Sequence, residues 1–243
     1  MFFKANERKI LSTCSKDGTT VESLDFDKIK NLQIPIAPKE QIGRIIGSVD
    51  EAFKKLDTIY AAQKELDSFS ILLKKKVLNS IFSSDKSYYP KVKLGDALCY
   101  LQPGPYIVHD TEYAANIDEE HSVPVLTPGK TFVLGYTNEK HGVYIPSDKV
   151  IIFDDFTTAS RLVGFPFKVK SSAMKILVVH NPKRFDISYL FNCLQTIHPI
   201  LGTHKRFWIS EFSVMSISAP PLDVQKKKVK FVELFEKLIA SLN

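Results

Sequence analysis

The feature that most constrains the fold of this chain is a proline-free stretch at 41–82 with a regular apolar repeat. Apolar residues recur there at alternating three- and four-residue intervals, which is the heptad spacing of a helix that packs along one seam. The seam is formed by Ile42, Ile45, Val49, Ala52, Leu56, Ile59, Gln63 and Leu66, with glutamine as its one polar member. Because a helix of this length extends on the order of 60 Å, its apolar face needs a partner helix. The sequence therefore predicts a long helix at 41–87 that pairs with another helix.

A second, shorter helix is predicted at the end of the chain, within 219–243. Its apolar positions also follow a heptad-like spacing, at Val224, Phe231, Phe235, Leu238 and Leu242. Both helical segments follow an Ala-Pro pair, and both contain a Glu-x-Phe-x-Lys-Leu hexapeptide. Two amphipathic helices with complementary seams are expected to pair as an antiparallel coiled coil.

Residues 88–218 have a different character, because most of the prolines, glycines and aromatic residues lie here. Short apolar runs bounded by turn residues predict strands at 123–126, 132–134, 150–153 and 175–179. A helix is predicted at 186–198, where Asp186 is placed to cap the first turn. This segment is predicted to be a compact α/β or α+β domain with mixed or antiparallel strands.

Residues 1–40 end in a proline-spaced stretch at 32–38, which is typical of an edge strand or an extended linker.

Several kinds of catalytic and metal chemistry have no counterpart in the sequence. The cysteines and histidines show none of the spacings that zinc sites use, and neither a phosphate-binding glycine loop nor an amino-methyltransferase signature occurs. Asp154 and Asp155 raise the hypothesis of a metal-dependent nuclease, but no acid–lysine combination that would complete such a site lies near them.

No apolar run approaches a membrane span and the amino terminus is a poor signal peptide, so a cytoplasmic protein is expected. A net charge of +6 suits a nucleic-acid partner, which is bound through phosphate neutralisation.

Three polar loops within 88–218 carry side chains that suit DNA contact. Lysine and arginine bind phosphates and guanine edges, while hydroxyl and amide side chains reach base edges. The first loop offers Lys130, Thr137 and Asn138, the second offers Thr157, Thr158 and Arg161, and the third offers His204, Lys205 and Arg206. Lys168 and Lys170 are additional candidates.

The order of several motifs resembles the specificity subunits of type I restriction–modification systems. The resemblance rests on IPIAPKEQ before the first helix, ISAPPLDVQ before the second, and VPVLTPGKTFVLGY, IIFDDFTT and FPFKVKSS between them. In that family two target-recognition domains alternate with two long helices that pair antiparallel. The resemblance implies a partial recognition-domain tail and linker at 1–40, a spacer helix at 41–87, a complete recognition domain at 88–218 and a second spacer helix at 219–243. The chain departs from the family in having one complete recognition domain instead of two, so a half-subunit and a truncated form both remain open.

The same resemblance implies a function. The domain is expected to read one half of a split double-stranded DNA target, and the helices are expected to dock methyltransferase and restriction subunits. The chain itself is expected to be no enzyme and to bind no cofactor, so that S-adenosylmethionine, ATP and Mg²⁺ belong to the partner subunits. A homodimer through the long helices is a further expectation. The alternative is a coiled-coil scaffold whose globular domain binds a protein or another non-DNA ligand.

Overall fold

The amino-terminal part of the chain is helical. The computed structural model describes residues 2–15, 23–34, 36–83, 88–110, 112–127, 131–197 and 206–241. The chain divides into two units, Met1–Lys64 and Glu65–Asn243. The first three helices are α1 (Phe2–Ala5), α2 (Glu7–Cys14) and α3 (Phe26–Lys30). The carboxylate of Asp25 caps α3 by accepting hydrogen bonds from its first backbone N–H groups. An edge strand or an extended linker is predicted at 32–38, and the described residues 32–34 and 36–38 are neither helix nor strand.

The long helix predicted from the heptad spacing is present as α4 (Lys39–Phe82). It begins two residues before the predicted start and ends before the predicted boundary at 87, although residues 84–87 lie outside the described part of the chain. Most of its seam residues are exposed in the single chain, with Ile59 at 65%. Burial on α4 is concentrated near its end, where Leu78 and Phe82 enter the core. No helix in the described part of the chain combines the length and the apolar character that crossing a membrane requires.

Nine strands lie among the described residues of the second unit. They are β1 (Lys91–Lys93), β2 (Leu98–Leu101), β3 (Val123–Leu126), β4 (Val133–Thr137), β5 (Val150–Asp154), β6 (Ser160–Val163), β7 (Lys168–Val169), β8 (Met174–Val179) and β9 (Ser216–Ser218). The helices of this unit after α4 are α5 (Leu94–Ala97), α6 (Ile187–Gln195) and α7 (Leu222–Ala240), with a short 3₁₀ turn at Gly104–Tyr106 and a π-helix at Trp208–Phe212. The four predicted strands and the predicted helix at 186–198 are all confirmed, with ends that differ by up to three residues.

The described strands form three sheets. A four-stranded antiparallel sheet has the order β2-β8-β5-β6, a three-stranded sheet has the order β4-β3-β7, and β1 pairs with β9. Because β3 runs antiparallel to β4 and parallel to β7, the three-stranded sheet is mixed. The predicted α+β domain with mixed and antiparallel strands is therefore confirmed.

Two apolar cores support these sheets. The larger core packs α6, α7 and the end of α4 against one face of the four-stranded sheet, and it includes Trp208. The smaller core is formed by residues of both larger sheets. Central strand β5 contributes to both, with Ile151 and Phe153 in the larger core and Val150 and Ile152 in the smaller one. This division follows from strand geometry, because successive side chains point to opposite faces.

Helix α7 packs antiparallel to the last turns of α4. The ammonium group of Lys228 donates a hydrogen bond to the carbonyl of Ile81 at 2.8 Å, and Lys74 forms an ion pair with Glu236 at 2.5 Å. The contacts move toward the start of α4 as they move along α7, so the two helices run in opposite directions. The predicted antiparallel pairing is confirmed for this part of α4.

The face of α7 that packs against the domain differs from the predicted stripe. Gln225, Val229 and Val232 are buried, whereas Phe231 and Leu238 of the predicted stripe are 56% and 59% exposed. The heptad spacing identifies the helix correctly but not its covered side, because two stripes of apolar residues share this helix.

Candidate nucleic-acid interface

The turn between β5 and β6 is held by the carboxylate of Asp154. Asp154 Oδ1 accepts hydrogen bonds from the backbone N–H groups of Phe156 and Thr157 and from the Thr157 hydroxyl, at 3.1, 2.5 and 2.8 Å. Thr158 then adopts a positive φ of 61° and donates its N–H to the Asp154 carbonyl at 3.0 Å. An aspartate that bonds the backbone two and three residues ahead is a strong turn former. The turn is therefore fixed from inside, while Phe156 and Thr157 at its tip are exposed.

Asp155 connects this turn to the start of the π-helix. Its Oδ1 accepts a hydrogen bond from the backbone N–H of Trp208 at 2.8 Å, and its backbone carbonyl accepts one from Phe207 at 3.0 Å. Its Oδ2 lies 3.1 Å from the ammonium nitrogen of Lys175, and both side chains of this ion pair are almost completely buried. Asp155 thus holds the backbone directly after the exposed Arg206.

Arg161 extends this surface toward β4. It is exposed on β6, and its guanidinium carbon lies 5.8 Å from the centroid of the Phe132 ring, an arrangement in which the cation is attracted by the face of the ring. Phe132 immediately precedes β4, and its carbonyl accepts a hydrogen bond from the N–H of Thr127 at 2.9 Å. Thr157 and Thr158 lie between β5 and β6, Arg161 is the second residue of β6, and Arg206 directly precedes Phe207, whose N–H bonds to Asp155. We call these four predicted DNA contacts the β5–β6 end.

Two other predicted contacts lie in an internal polar network around Asp110 and Glu139. The Thr137 hydroxyl donates to the Asp110 carboxylate at 3.0 Å, and the Lys168 ammonium donates to Glu139 Oε2 and, at 2.7 Å, to the carbonyl of His141. Thr137 and Lys168 are 1% and 2% exposed. They would reach DNA only by breaking these bonds and leaving buried polar groups unpaired, which is costly. In addition, Thr137 is the last residue of β4 and does not lie in the predicted loop.

Lys170 and Asn138 are the remaining candidates of the described residues. The Lys170 ammonium lies 2.5 Å from the Tyr113 hydroxyl, which itself donates to the carbonyl of Asp110 at 2.7 Å. Lys170 is therefore connected to the internal network, although its side chain is exposed. Asn138 is exposed as well. Both stay predicted contacts, apart from the β5–β6 end.

Glu139 is the centre of the internal network. Its Oε1 accepts hydrogen bonds from the backbone N–H groups of His109 and Asp110, each at 2.7 Å. Burial alone would raise the pKa of the Glu139 carboxyl, but the Lys168 ammonium and the two backbone N–H groups hold it below its usual range. The charged side chain of Glu139 thus joins the segment at His109 and Asp110 to the segment that follows β4.

Three predicted contacts, Lys130, His204 and Lys205, lie outside the described residues. Of the described residues that follow them in sequence, Phe132 contacts Arg161 and Phe207 donates a hydrogen bond to Asp155. They stay predictions.

The acidic pair Asp154–Asp155, which raises the nuclease hypothesis, is bonded within the domain. Both side chains are buried, and their oxygens accept the turn and π-helix N–H groups or pair with Lys175. Among the residues that the structure describes, no three His, Cys, Asp or Glu side chains are grouped in a way that could hold a metal ion.

Sequence reasoning missed the structural partners of this site. Lys175 was treated as part of an apolar strand, and Glu139 was not singled out. A signal for Lys175 exists, because a single charge in a run of buried strand residues needs a buried partner of opposite charge. A signal for the acidic pair exists as well, because neighbouring strand residues point in opposite directions and therefore have different partners.

Solved structures share this fold. The HsdS subunit from Thermoanaerobacter tengcongensis is similar over 97% of this chain and 60% of its own length, with a TM-score of 0.51 and 15% sequence identity. A chain in a structure that concerns complex assembly and conformational transition of the type I restriction–modification system is similar over 98% of this chain and 62% of its own length, with a TM-score of 0.65 and 16% identity. At these identities the similarity shows a common fold.

Sequence comparison is more specific. The type I restriction enzyme EcoR124I/EcoR124II specificity subunit of Escherichia coli is 42% identical over 159 residues, which are 61% of this chain and 38% of that protein. The chain therefore spans well under half the length of this relative. The family model described as "Type I restriction modification DNA specificity domain" matches residues 86–243, which include the β5–β6 end and α7. The chain thus belongs to the family of type I restriction–modification DNA specificity domains.

Proposed function

We propose that this chain is a sequence-specific DNA-binding specificity subunit of a type I restriction–modification complex, and that its 88–218 domain binds one half of a bipartite target. The observation that carries the proposal is the β5–β6 end, where Thr157, Arg161 and Arg206 are exposed on a backbone fixed by buried aspartates. Arginine binds guanine edges through two hydrogen bonds, and threonine reaches base edges. The net charge of +6 favours attraction to phosphates.

We propose in addition that α4 and α7 dock methyltransferase and restriction subunits. Apolar side chains are exposed along both helices, and contiguous exposed apolar surface is typical of interaction sites. In this proposal the chain acts in the cytoplasm and is not itself an enzyme, while S-adenosylmethionine, ATP and Mg²⁺ bind the partner subunits. The internal bonding of Asp154 and Asp155 supports a non-catalytic role for that pair. The alternative, a coiled-coil scaffold for a non-DNA ligand, has no support from the relatives.

The DNA-binding proposal is tested by selection from a library of randomised DNA duplexes with the full chain. We expect the recovered sequences to share a defined half-site, and we expect affinity to fall steeply as salt rises because counterions are released. The variant R206A should weaken binding to the enriched duplex by about 1–3 kcal/mol while changing binding to a scrambled duplex much less. The variant K237A, which removes an exposed charge of the same sign on α7, is the matched control and should retain the preference. Recovery of no common sequence by the folded chain contradicts the proposal.

The subunit role is tested by methylation. The chain purified with a type I methyltransferase subunit should direct adenine methylation to sites that contain the same half-site. The chain alone, with methyl donor and Mg²⁺, should neither methylate nor cut DNA. Methylation or cleavage by the chain alone contradicts this part of the proposal.

A further inference from the structure

We propose that Asp155 is a positioning residue for DNA recognition, which places Arg206 by holding the backbone N–H of Trp208, and that Lys175 keeps the Asp155 carboxylate in place. The inference rests on the proposed function, since it concerns how the β5–β6 end is held. It assigns to the acidic pair a role different from the nuclease hypothesis.

Strand geometry explains why two consecutive aspartates hold two different segments. Asp154 ends β5, and the side chains of neighbouring extended residues point in opposite directions. One carboxylate therefore bonds the turn at Phe156 and Thr157, while the other bonds the π-helix at Trp208. The same pair of residues thereby fixes the two segments that carry Thr157 and Arg206.

The backbone next to Arg206 is bonded directly to Asp155. The two residues that follow Arg206 both donate their backbone N–H groups to Asp155, Phe207 to the carbonyl and Trp208 to the carboxylate. The rings of Phe207 and Trp208 are buried in the larger core. A group that reads a base edge must be held to within about 0.5 Å of its productive position by supporting contacts. Asp155 supplies such a contact next to Arg206, and the Ser210 hydroxyl, which donates to the Arg206 carbonyl at 2.8 Å, supplies another.

Lys175 in turn fixes Asp155. Lys175 is the second residue of the neighbouring strand β8, and its ammonium nitrogen lies 3.1 Å from Asp155 Oδ2 and 4.5 Å from the centroid of the Tyr100 ring. Replacing a buried ion pair by apolar side chains often costs no stability, whereas stranding one charge is strongly destabilising. A contribution to stability alone is therefore a weak reason for this pair, and its geometry points to orientation of the carboxylate.

The test compares two double variants that differ in one hydrogen-bond acceptor. D155N/K175M removes both charges but keeps a side-chain oxygen that can accept the Trp208 N–H. D155L/K175M removes both charges and the acceptor. Neither variant leaves a charge buried without a partner, so both are expected to fold. Where the leucine variant fails to fold, D155A/K175M, which also removes the side-chain acceptor, replaces it with the same expectations.

The control is the ion pair of the buried Lys168 with the half-buried Glu139, which belongs to the internal network. E139L/K168M removes an ion pair of the same chemical type. It is expected to perturb the loops around Asp110 while leaving the β5–β6 end unchanged. A general loss of stability would affect this control and the Asp155 variants alike.

Three measurements are made on each full-chain variant. The first is the ratio of its affinities for the duplex enriched by the wild-type chain and for a scrambled duplex. The second is its affinity for the scrambled duplex alone. The third is tryptophan emission without DNA, which reports on this segment directly because Trp208 is the single tryptophan of the chain.

We expect D155L/K175M to lower the affinity ratio at least tenfold, with less than a threefold change in binding to the scrambled duplex, and to shift the Trp208 emission to the red. D155N/K175M and E139L/K168M are expected to keep both the ratio and the emission close to those of the wild-type chain. The inference is overturned if D155L/K175M retains the wild-type ratio, or if the asparagine and leucine variants lose it equally. If the wild-type chain itself enriches no sequence, the proposed function fails first, and the positioning role fails with it.

Discussion

At the scale of single residues, two lysines show how far a polar side chain can depart from its usual place. Lysine side chains are normally exposed, so the sequence predicts an exposed side chain for Lys168. In the structure Lys168 and Lys175 are both buried, and each has a carboxylate partner that makes burial tolerable, Glu139 and Asp155 respectively. Partners distant in sequence decide the location of such residues, which is why the sequence alone predicts both Arg206 and, as an additional candidate, Lys168 to contact DNA.

The Glu139 network predicts a specific pH dependence of stability. The folded-state pKa of Glu139 lies below its ordinary value of 4.5, so its charged form stabilises the folded state above that value, and this contribution is lost as the pH falls through the lowered pKa. E139Q should therefore lower the free energy of unfolding by about 3 kcal/mol at pH 7, because Lys168 is left buried without a counter-charge. The difference from the wild-type chain should shrink toward strongly acidic pH, as measured by urea unfolding.

The matched control is E236Q, which removes a carboxylate from the partly exposed ion pair with Lys74. Surface ion pairs contribute little, so its effect at pH 7 should stay below about 1 kcal/mol. An E139Q cost that is the same at neutral and acidic pH would show that Glu139 does not stabilise the fold through its charge.

At the scale of secondary-structure elements, one buried glutamine joins α7 to α6. Gln225 Oε1 accepts the N–H of Asp186 at 2.9 Å, and its Nε2 donates to the carbonyls of Arg184 at 2.9 Å and Pro220 at 2.8 Å. Asp186 also caps α6. The start of α7 is therefore tied to the start of α6 by a side chain that has all its hydrogen-bonding groups satisfied.

Replacing this glutamine is expected to weaken the domain strongly. Q225M keeps a side chain of similar length but leaves three buried or half-buried backbone groups without their partner, so it should cost at least about 2 kcal/mol in the free energy of unfolding. Q195M, which removes one hydrogen bond to the Ser160 hydroxyl, should cost about 1 kcal/mol. Urea denaturation followed by circular dichroism measures both. Equal losses for the two variants would mean that Gln225 has no special part in joining the elements.

The elements themselves were largely predictable, and the reasons for the exceptions are physical. α4 and the strands β3, β5 and β8 follow from periodicity and from unbroken apolar runs, which are local signals. The covered face of α7 did not follow, because Phe231 and Val232 are both apolar and only the domain decides which one is buried. The sequence also could not predict which candidate contacts lie at the β5–β6 end and which lie in the Glu139 network, because this depends on pairing between distant segments.

At the scale of the whole molecule, the exposed apolar seam of α4 predicts self-association of the chain when it is alone. Leu56 and Ile59 lie on this seam and are exposed, and burying such side chains contributes about 1.5–3 kcal/mol each. We expect light scattering to show a concentration-dependent dimer. L56E/I59E should shift the chain toward monomer, whereas K54E, which changes the net charge equally at a position off the seam, should leave the dimer intact. A wild-type chain that stays monomeric at high concentration contradicts this prediction.

The construction of the β5–β6 turn has a consequence for the proposed recognition of DNA. Its backbone is held by Asp154 and Asp155 from inside, and Phe156 is 53% exposed, so substitutions at position 156 are expected to disturb the fold little. Position 158 tolerates fewer residue types, because its positive φ favours glycine, asparagine or aspartate over most other residues. Variation that retargets the domain while sparing its fold should therefore accumulate first at 156 and 161, with 158 restricted to a few small or polar residues.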